Sequence, residues 1–224
     1  IVVVDSKGIL HPGREDLEEQ RREFPDKWHL CQITNGGGIK GNLSEALKDA
    51  DVLISCSRPG PGVIAAEDIK LMANDAICFT SANPIPEIWP WEVLGAGARI
   101  VGTGRSDFPN QLNNSMAFPG IFRGVFDVGA RAITNEMCVA AAEELARYAE
   151  EHGLSEKHII PTMLESEALI HEAVAVGMKA QELGIARIKI SRDDLYKKSK
   201  SIIVASRGMH DALVSSGYIA PAPE

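Results

Sequence analysis

Apolar positions follow two different patterns along the chain. Up to residue 105, short runs rich in β-branched side chains occur at Ile1–Val4, Val52–Ser55, Ala76–Thr80 and Ala98–Thr103. Amphipathic or capped stretches separate them. Arg14–Phe24 predicts a charged helix, Asn42 or Ser44 predicts the cap of a helix running to Lys48, and Ala65–Met72 predicts another. Strands that alternate with helices, each strand a continuous apolar run, predict a parallel sheet covered on both faces. The Asn35-Gly36-Gly37-Gly38 run is a loop, because such a run cannot sit inside an element.

After residue 105 the strand pattern stops. Asp107–Asn114 is polar and irregular, and Phe118-Pro119-Gly120 opens a stretch that reads as mostly helical. Thr134–Glu151 sets Met137, Ala141, Leu145 and Tyr148 at helical spacing, with Gly153 as its C-cap. Glu165–Leu183 places Leu169, Ala173, Val176 and Ala180 on one side and ends at Gly184. Ser191–Tyr218 predicts a last helix with Lys197, Lys198 and Lys200 on a solvated face. No internal repeat or low-complexity segment interrupts the chain. The expected organisation is a sheet-bearing domain over 1–133 with a helical extension over 134–224 packed on it.

Composition excludes several classes. The 224 residues are 45% hydrophobic and 24% charged, enough for one good-sized domain or two small ones with a real core. No stretch approaches the roughly 20 apolar residues of a membrane helix, so no membrane partner is expected. A net charge of −8 argues against a nucleic-acid partner, which needs clustered Lys and Arg. Cys31, Cys56, Cys78 and Cys138 are far apart and form no CxxC. They suit a reducing setting, cytoplasmic or an organelle matrix, and Cys56 and Cys78 are expected in the core. The six histidines show no zinc-ligand spacing, and there is no G-x-S-x-G elbow. The chain opens directly on Ile1-Val2-Val3-Val4-Asp5, which creates the expectation that it begins inside a fold.

In an open parallel α/β sheet, ligands gather outside the carboxyl ends of the strands. Here the strands run into Asp5, into Ser55-Cys56-Ser57-Arg58-Pro59-Gly60, into Ser81-Ala82-Asn83-Pro84 and into Gly102-Thr103-Gly104-Arg105. An acid closing a hydrophobic strand is what a Rossmann-like domain uses to bind the ribose hydroxyls, although Asp also ends strands as a turn residue. Asn83 offers a donor and an acceptor at the sheet edge, or an Asx-turn. The amides of Asn110-Gln111-Leu112-Asn113-Asn114 either cap the following helix or, with its N-terminus, receive an anion.

Longer motifs decide among these readings. Val4-Asp5-Ser6-Lys7-Gly8-Ile9-Leu10, Asp51-Val52-Leu53-Ile54 with Ser57-Arg58-Pro59-Gly60, and Ala82-Asn83-Pro84-Ile85-Pro86-Glu87-Ile88 all resemble the malic enzyme family. So does Gly104-Arg105-Ser106-Asp107-Phe108-Pro109-Asn110-Gln111-Leu112-Asn113-Asn114 with Phe118-Pro119-Gly120-Ile121-Phe122-Arg123-Gly124. The likeness covers residues 1–150 and loosens at His158-Ile159-Ile160-Pro161 and Gly184-Ile185-Ala186-Arg187. It implies a Rossmann-like doubly wound α/β domain in an enzyme that oxidises L-malate with NAD(P) and decarboxylates it to pyruvate.

By the same resemblance, Asp5 would hold the adenosine ribose and Arg14 would lie over the adenine-side phosphates or ribose. Ser57, Pro59 and Gly60 would border the dinucleotide, with Gly104 at the same edge. Asn83 would sit by the nicotinamide ribose and substrate, and Asn114 would take the substrate carboxylate and nicotinamide amide. NAD is expected ahead of NADP because Asp5 disfavours a 2′-phosphate, while Lys7 is placed to meet one. The family's lysine base, tyrosine acid and acidic ligands for Mg²⁺ or Mn²⁺ lie upstream of the matched segment, so no catalytic or metal residue is assigned here. The resemblance also implies a homo-oligomer. The glycine-rich turn that normally precedes such an Asp is missing from the chain, which is therefore expected to be the later part of a larger enzyme. Alone it would not turn over malate. A catalytically inactive nucleotide-binding fragment, and a related NAD-dependent amino-acid or one-carbon dehydrogenase, are the competing readings.

Overall fold

A computed structural model describes residues 1–220 and contains two compact units, residues 1–109 and residues from Asn110 onward. The expected domain boundary at 133/134 lies inside the second unit, where the helix Phe118–Val128 packs closely on Ser166–Glu182.

The first unit opens with β1 (Val4–Asp5) and β2 (Gly8–Ile9), paired antiparallel. The expectation of a parallel strand over Ile1–Val4 is corrected here. The backbone N–H of Lys7 donates to Asp5 Oδ1, and Gly8 at φ +114° lets the chain double back at once. The predicted helix Arg14–Phe24 shortens to α1 (Glu15–Glu19), whose one buried side chain is Leu17. A helix then follows that periodicity did not reveal, α2 (Pro25–Ile33). Pro25 starts it, but Trp28, Leu30, Cys31 and the exposed Ile33 make no single apolar stripe. Leu17 and Cys31 pack with Leu10 into a small cluster.

Next come α3 (Leu43–Leu47), β3 (Val52–Ser55), α4 (Ala66–Ile69), β4 (Ile77–Thr80), α5 (Pro90–Gly95) and β5 (Ile100–Thr103). Asn42 caps α3: its side chain accepts from Ser44 N–H, while Glu45 reaches back to the N–H of Asn42. The three strands form a parallel sheet in the order β3-β4-β5. Leu53, Cys78 and Val101 are paired across it and fall on the same face, buried against Leu47, Ile69, Met72 and Val93. Alternation puts Val52 and Ile54 on the opposite face of β3, where both are exposed. The expected cover on both faces is thus absent over β3, whose outer edge is also unpaired among the described residues.

The second unit is helical: α6 (Phe118–Val128), α7 (Asn135–Glu151), α8 (Ser166–Glu182) and α9 (Arg192–Ser215). Thr134 caps α7 and Ser191 caps α9, each side chain accepting a backbone N–H from the first turn. Helices α6 and α8 approach closely at small residues: a Cβ on Gly120 would overlap the Glu172 carboxylate, and one on Gly124 would overlap the Ala173 carbonyl. Val128, Met137, Val176 and Leu195 fill the centre. Within this packing Glu172 is fully buried, and neither of its carboxylate oxygens has a partner among the described residues. Burial pushes its pKa up to about 9.

Candidate functional site

The paired rows of the sheet end together at Ser55, Thr80 and Thr103. The segments that leave this edge carry five of the residues singled out above: Ser57, Pro59, Gly60, Asn83 and Gly104. They are tied to one another. Gly60 has φ +112°, a conformation other residues rarely adopt, and its N–H donates to Ile85 O at 3.1 Å. Asn83 is exposed and precedes a cis Pro84. Its amide lies directly over buried Gly104, where an added Cβ would overlap it. Close approach of the Asn83 side chain therefore requires glycine at 104.

Two charged residues brace these segments. Arg105 Nη1 donates to Pro84 O at 2.8 Å, its guanidinium pairs with Asp107, and it lies over the Trp89 and Phe108 rings. Trp89 and Trp91 stack with ring centroids 4.8 Å apart, Trp91 outermost. Beneath the surface, the fully buried Glu87 accepts from Ser55 Oγ (2.7 Å), Ser57 N–H (2.8 Å), Ser57 Oγ (3.2 Å) and Ala82 N–H (3.1 Å). Burial alone would raise its pKa, but the bonds from Ser57, Ser55 and Ala82 prevail and hold it below the usual glutamate value. Cys56, expected in the core, is exposed on this loop, one residue past the end of β3.

Asp5 and Arg14 form a separate cluster within the first unit. Arg14 Nη1 and Nη2 donate to Oδ1 and Oδ2 of Asp5 at 3.0 and 3.2 Å, and Lys27 Nζ donates to Oδ2 at 2.9 Å. With the Lys7 N–H on Oδ1, each oxygen accepts two donors. Burial raises the Asp5 pKa, but Arg14, Lys27 and the Lys7 N–H outweigh it and bring it to about 2. Arg14 also holds Asp16 at 2.7 and 2.9 Å, and Lys7 reaches Asp16 at 3.0 Å. Three cations thus surround two acids. Lys27, half-exposed, is a more accessible partner of Asp5 than Arg14.

The amide-rich segment divides its work in the second unit. Asn110 is buried, donates to Glu156 O and accepts from Ile159 N–H, which pins that stretch of chain. Asn113 caps the short 3₁₀ turn Asn114–Met116 by accepting from Ser115 N–H. Asn114 is left exposed, next to that cap. Neither Glu87 nor Lys27 is marked as functional by sequence pattern. A lone acid among Ile85, Pro86, Ile88 and Pro90 was the available signal for Glu87; nothing local signalled Lys27, 22 positions from Asp5.

A parallel sheet with small and polar residues gathered at its carboxyl edge defines a dinucleotide-binding α/β domain of the Rossmann-like class. Comparison with known proteins agrees. The family model for the malic enzyme NAD binding domain matches residues 97–181. The chain is 42% identical over 187 residues to the NAD-dependent malic enzyme of Geobacillus stearothermophilus, covering 84% of this chain and 37% of that protein. It is 36% identical over 214 residues to the NADP-dependent malic enzyme of Escherichia coli, covering 88% of this chain and 26% of that protein. The crystal structure of Entamoeba histolytica malic enzyme superposes with a TM-score of 0.95 at 46% identity, over 100% of this chain and 46% of that one. The chain belongs to the malic enzyme family, within its NAD-binding portion, and spans less than half the length of each of these relatives.

Proposed function

We propose that this chain supplies the cofactor-binding part of an NAD(P)-dependent malic enzyme, in which L-malate is oxidised and decarboxylated to pyruvate and CO₂. The observation that carries the reading is the convergence of Ser57, Gly60, Asn83 and Gly104 at one sheet edge. NAD(P) when bound supplies the hydride acceptor. The chain's own residues bind and orient. Asp5, with Lys27 moved aside, accepts the adenosine ribose hydroxyls, and Arg14 keeps that carboxylate ionised. The Ser57–Gly60 segment lets backbone approach the dinucleotide, and Asn83 holds the nicotinamide ribose beside the substrate. Asn114 takes the substrate carboxylate and the nicotinamide amide.

Among the described residues no His, Cys, Asp or Glu group of three fits a divalent ion. Mg²⁺ or Mn²⁺ is assigned to residues outside this chain, as are the proton-transfer groups. The relatives include NAD- and NADP-dependent enzymes. Asp5 favours NAD, while Lys7 and Lys27 beside it keep NADP open. No helix of the described residues is long and apolar enough to cross a membrane. We place the protein in the cytoplasm as a homo-oligomer.

Calorimetric titration of the chain with NAD and with NADP tests the proposal. Binding of at least one is expected, with no malate-dependent NADH or NADPH formation. Absence of binding to both overturns the cofactor role, and malate turnover by the chain alone overturns the assignment of catalytic groups elsewhere.

A further inference from the structure

Glu87 is costly to bury. An ionised carboxylate out of water is tolerated only where donors replace its hydration, and the four donors on Glu87 are all neutral groups of the chain. They come from two segments, since Ser55 and Ser57 lie 32 and 30 positions before it and Ala82 only five. Ser57 and Ala82 follow the ends of adjacent strands, where the sheet ladder no longer occupies their N–H groups. A core-filling side chain would leave both amides without an acceptor. Glutamine would not restore them, because its NH₂ end must face either the Ser57 donors or the Ala82 N–H.

We propose that Glu87 is a positioning residue. By accepting from the Ser57 and Ala82 amides at once, it fixes the Ser57–Gly60 segment against Asn83 so that the two present one surface to the dinucleotide. The inference rests on the cofactor role proposed above. Asn83 follows Ala82 directly, and the Gly60 N–H bond to Ile85 O closes the same two segments from the other side. Glu87 acts on the cofactor only through these neighbours.

The test compares the 224-residue chain with Glu87→Gln, using amide hydrogen exchange read by NMR and titration with NAD, NADP and AMP. In the variant, exchange at Ser57 or at Ala82, whichever amide the NH₂ end faces, is expected to quicken by about tenfold, the worth of one hydrogen bond to a charged group, while Ile77–Thr80 keeps its protection. Dinucleotide affinity is expected to fall by about the same factor, and AMP affinity by less, since AMP meets the Asp5 end. Ser55→Ala, which removes one hydroxyl and leaves the carboxylate, gives smaller shifts in the same direction and serves if the glutamine variant does not fold. Faster exchange with unchanged dinucleotide affinity overturns the inference while the cofactor role stands. Unchanged exchange at both amides overturns it as well. A parent chain that binds neither NAD nor NADP removes the cofactor role, and the inference with it.

Discussion

Replacing Glu172 by methionine should make the chain more stable and change how its stability depends on pH. The side chain is fully buried against Gly120, with no hydrogen-bond partner for either oxygen among the described residues. Burial raises its pKa from 4.5 to about 9, so the folded protein carries a neutral acid at pH 7 while the unfolded chain carries a carboxylate. Between these two values the folded state binds the extra proton. The residue's contribution to stability is therefore fully present below pH 4.5 and is lost as pH rises toward 9. The slope across that window is about 1.4 kcal/mol per pH unit. Even the neutral acid leaves polar atoms unsatisfied, at a cost of about 1–3 kcal/mol. Methionine has similar length and volume with no group to ionise. Glu172→Met is expected to gain about 1–3 kcal/mol where the acid is neutral in both states, roughly 3 kcal/mol more at pH 7, and to lose most of the decline between pH 4.5 and 9. Urea unfolding at acid, neutral and alkaline pH, followed by far-ultraviolet circular dichroism, measures both quantities. A variant less stable than the parent at neutral pH, or one with the same alkaline slope, would refute this account of the α6–α8 contact.

Other expectations are more local. Gly104→Ala drives a methyl group into the Asn83 amide; dinucleotide binding should weaken by about tenfold in calorimetry, with circular dichroism unchanged. Lys27→Ala removes a half-exposed cation beside Asp5 and frees a carboxylate lone pair, so the NADP-to-NAD affinity ratio should drop by about fivefold; an unchanged ratio would show that Lys27 does not face the 2′ position. In native labelling with a thiol reagent, Cys56 and Cys138 should react promptly, and Cys31 and Cys78 only after unfolding.

Much of the architecture was legible because it is written in local pattern. Helices α7 and α8 follow from apolar spacing within Thr134–Glu151 and Glu165–Leu183, and β3 and β4 from short β-branched runs. What escaped depends either on turns that override strand propensity or on pairing between segments. Ile1–Val4 reads as a strand, yet Asp5 pairs with Gly8 because the turn at Ser6-Lys7 decides its partner. Helix α2 is held by a proline start and a few contacts rather than by a stripe. The amide segment looked uniform in composition, but Asn110 anchors, Asn113 caps and only Asn114 remains exposed. The edge residues Ser57, Gly60, Asn83 and Gly104 could be named from motif and strand ends. The clamp beneath them could not, since Glu87 reaches its acceptor role only once β3 and β4 lie side by side.

The outer edge of β3, unpaired among the described residues, also governs how this chain behaves as a material. Unpaired N–H and C=O groups alongside exposed Val52 and Ile54 form a template on which another strand can grow. Concentrated solutions of the chain should accordingly precipitate at lower temperature than dilute ones. A lysine at position 54, Ile54→Lys, should delay that loss by placing a charge where an incoming strand would have to bury it.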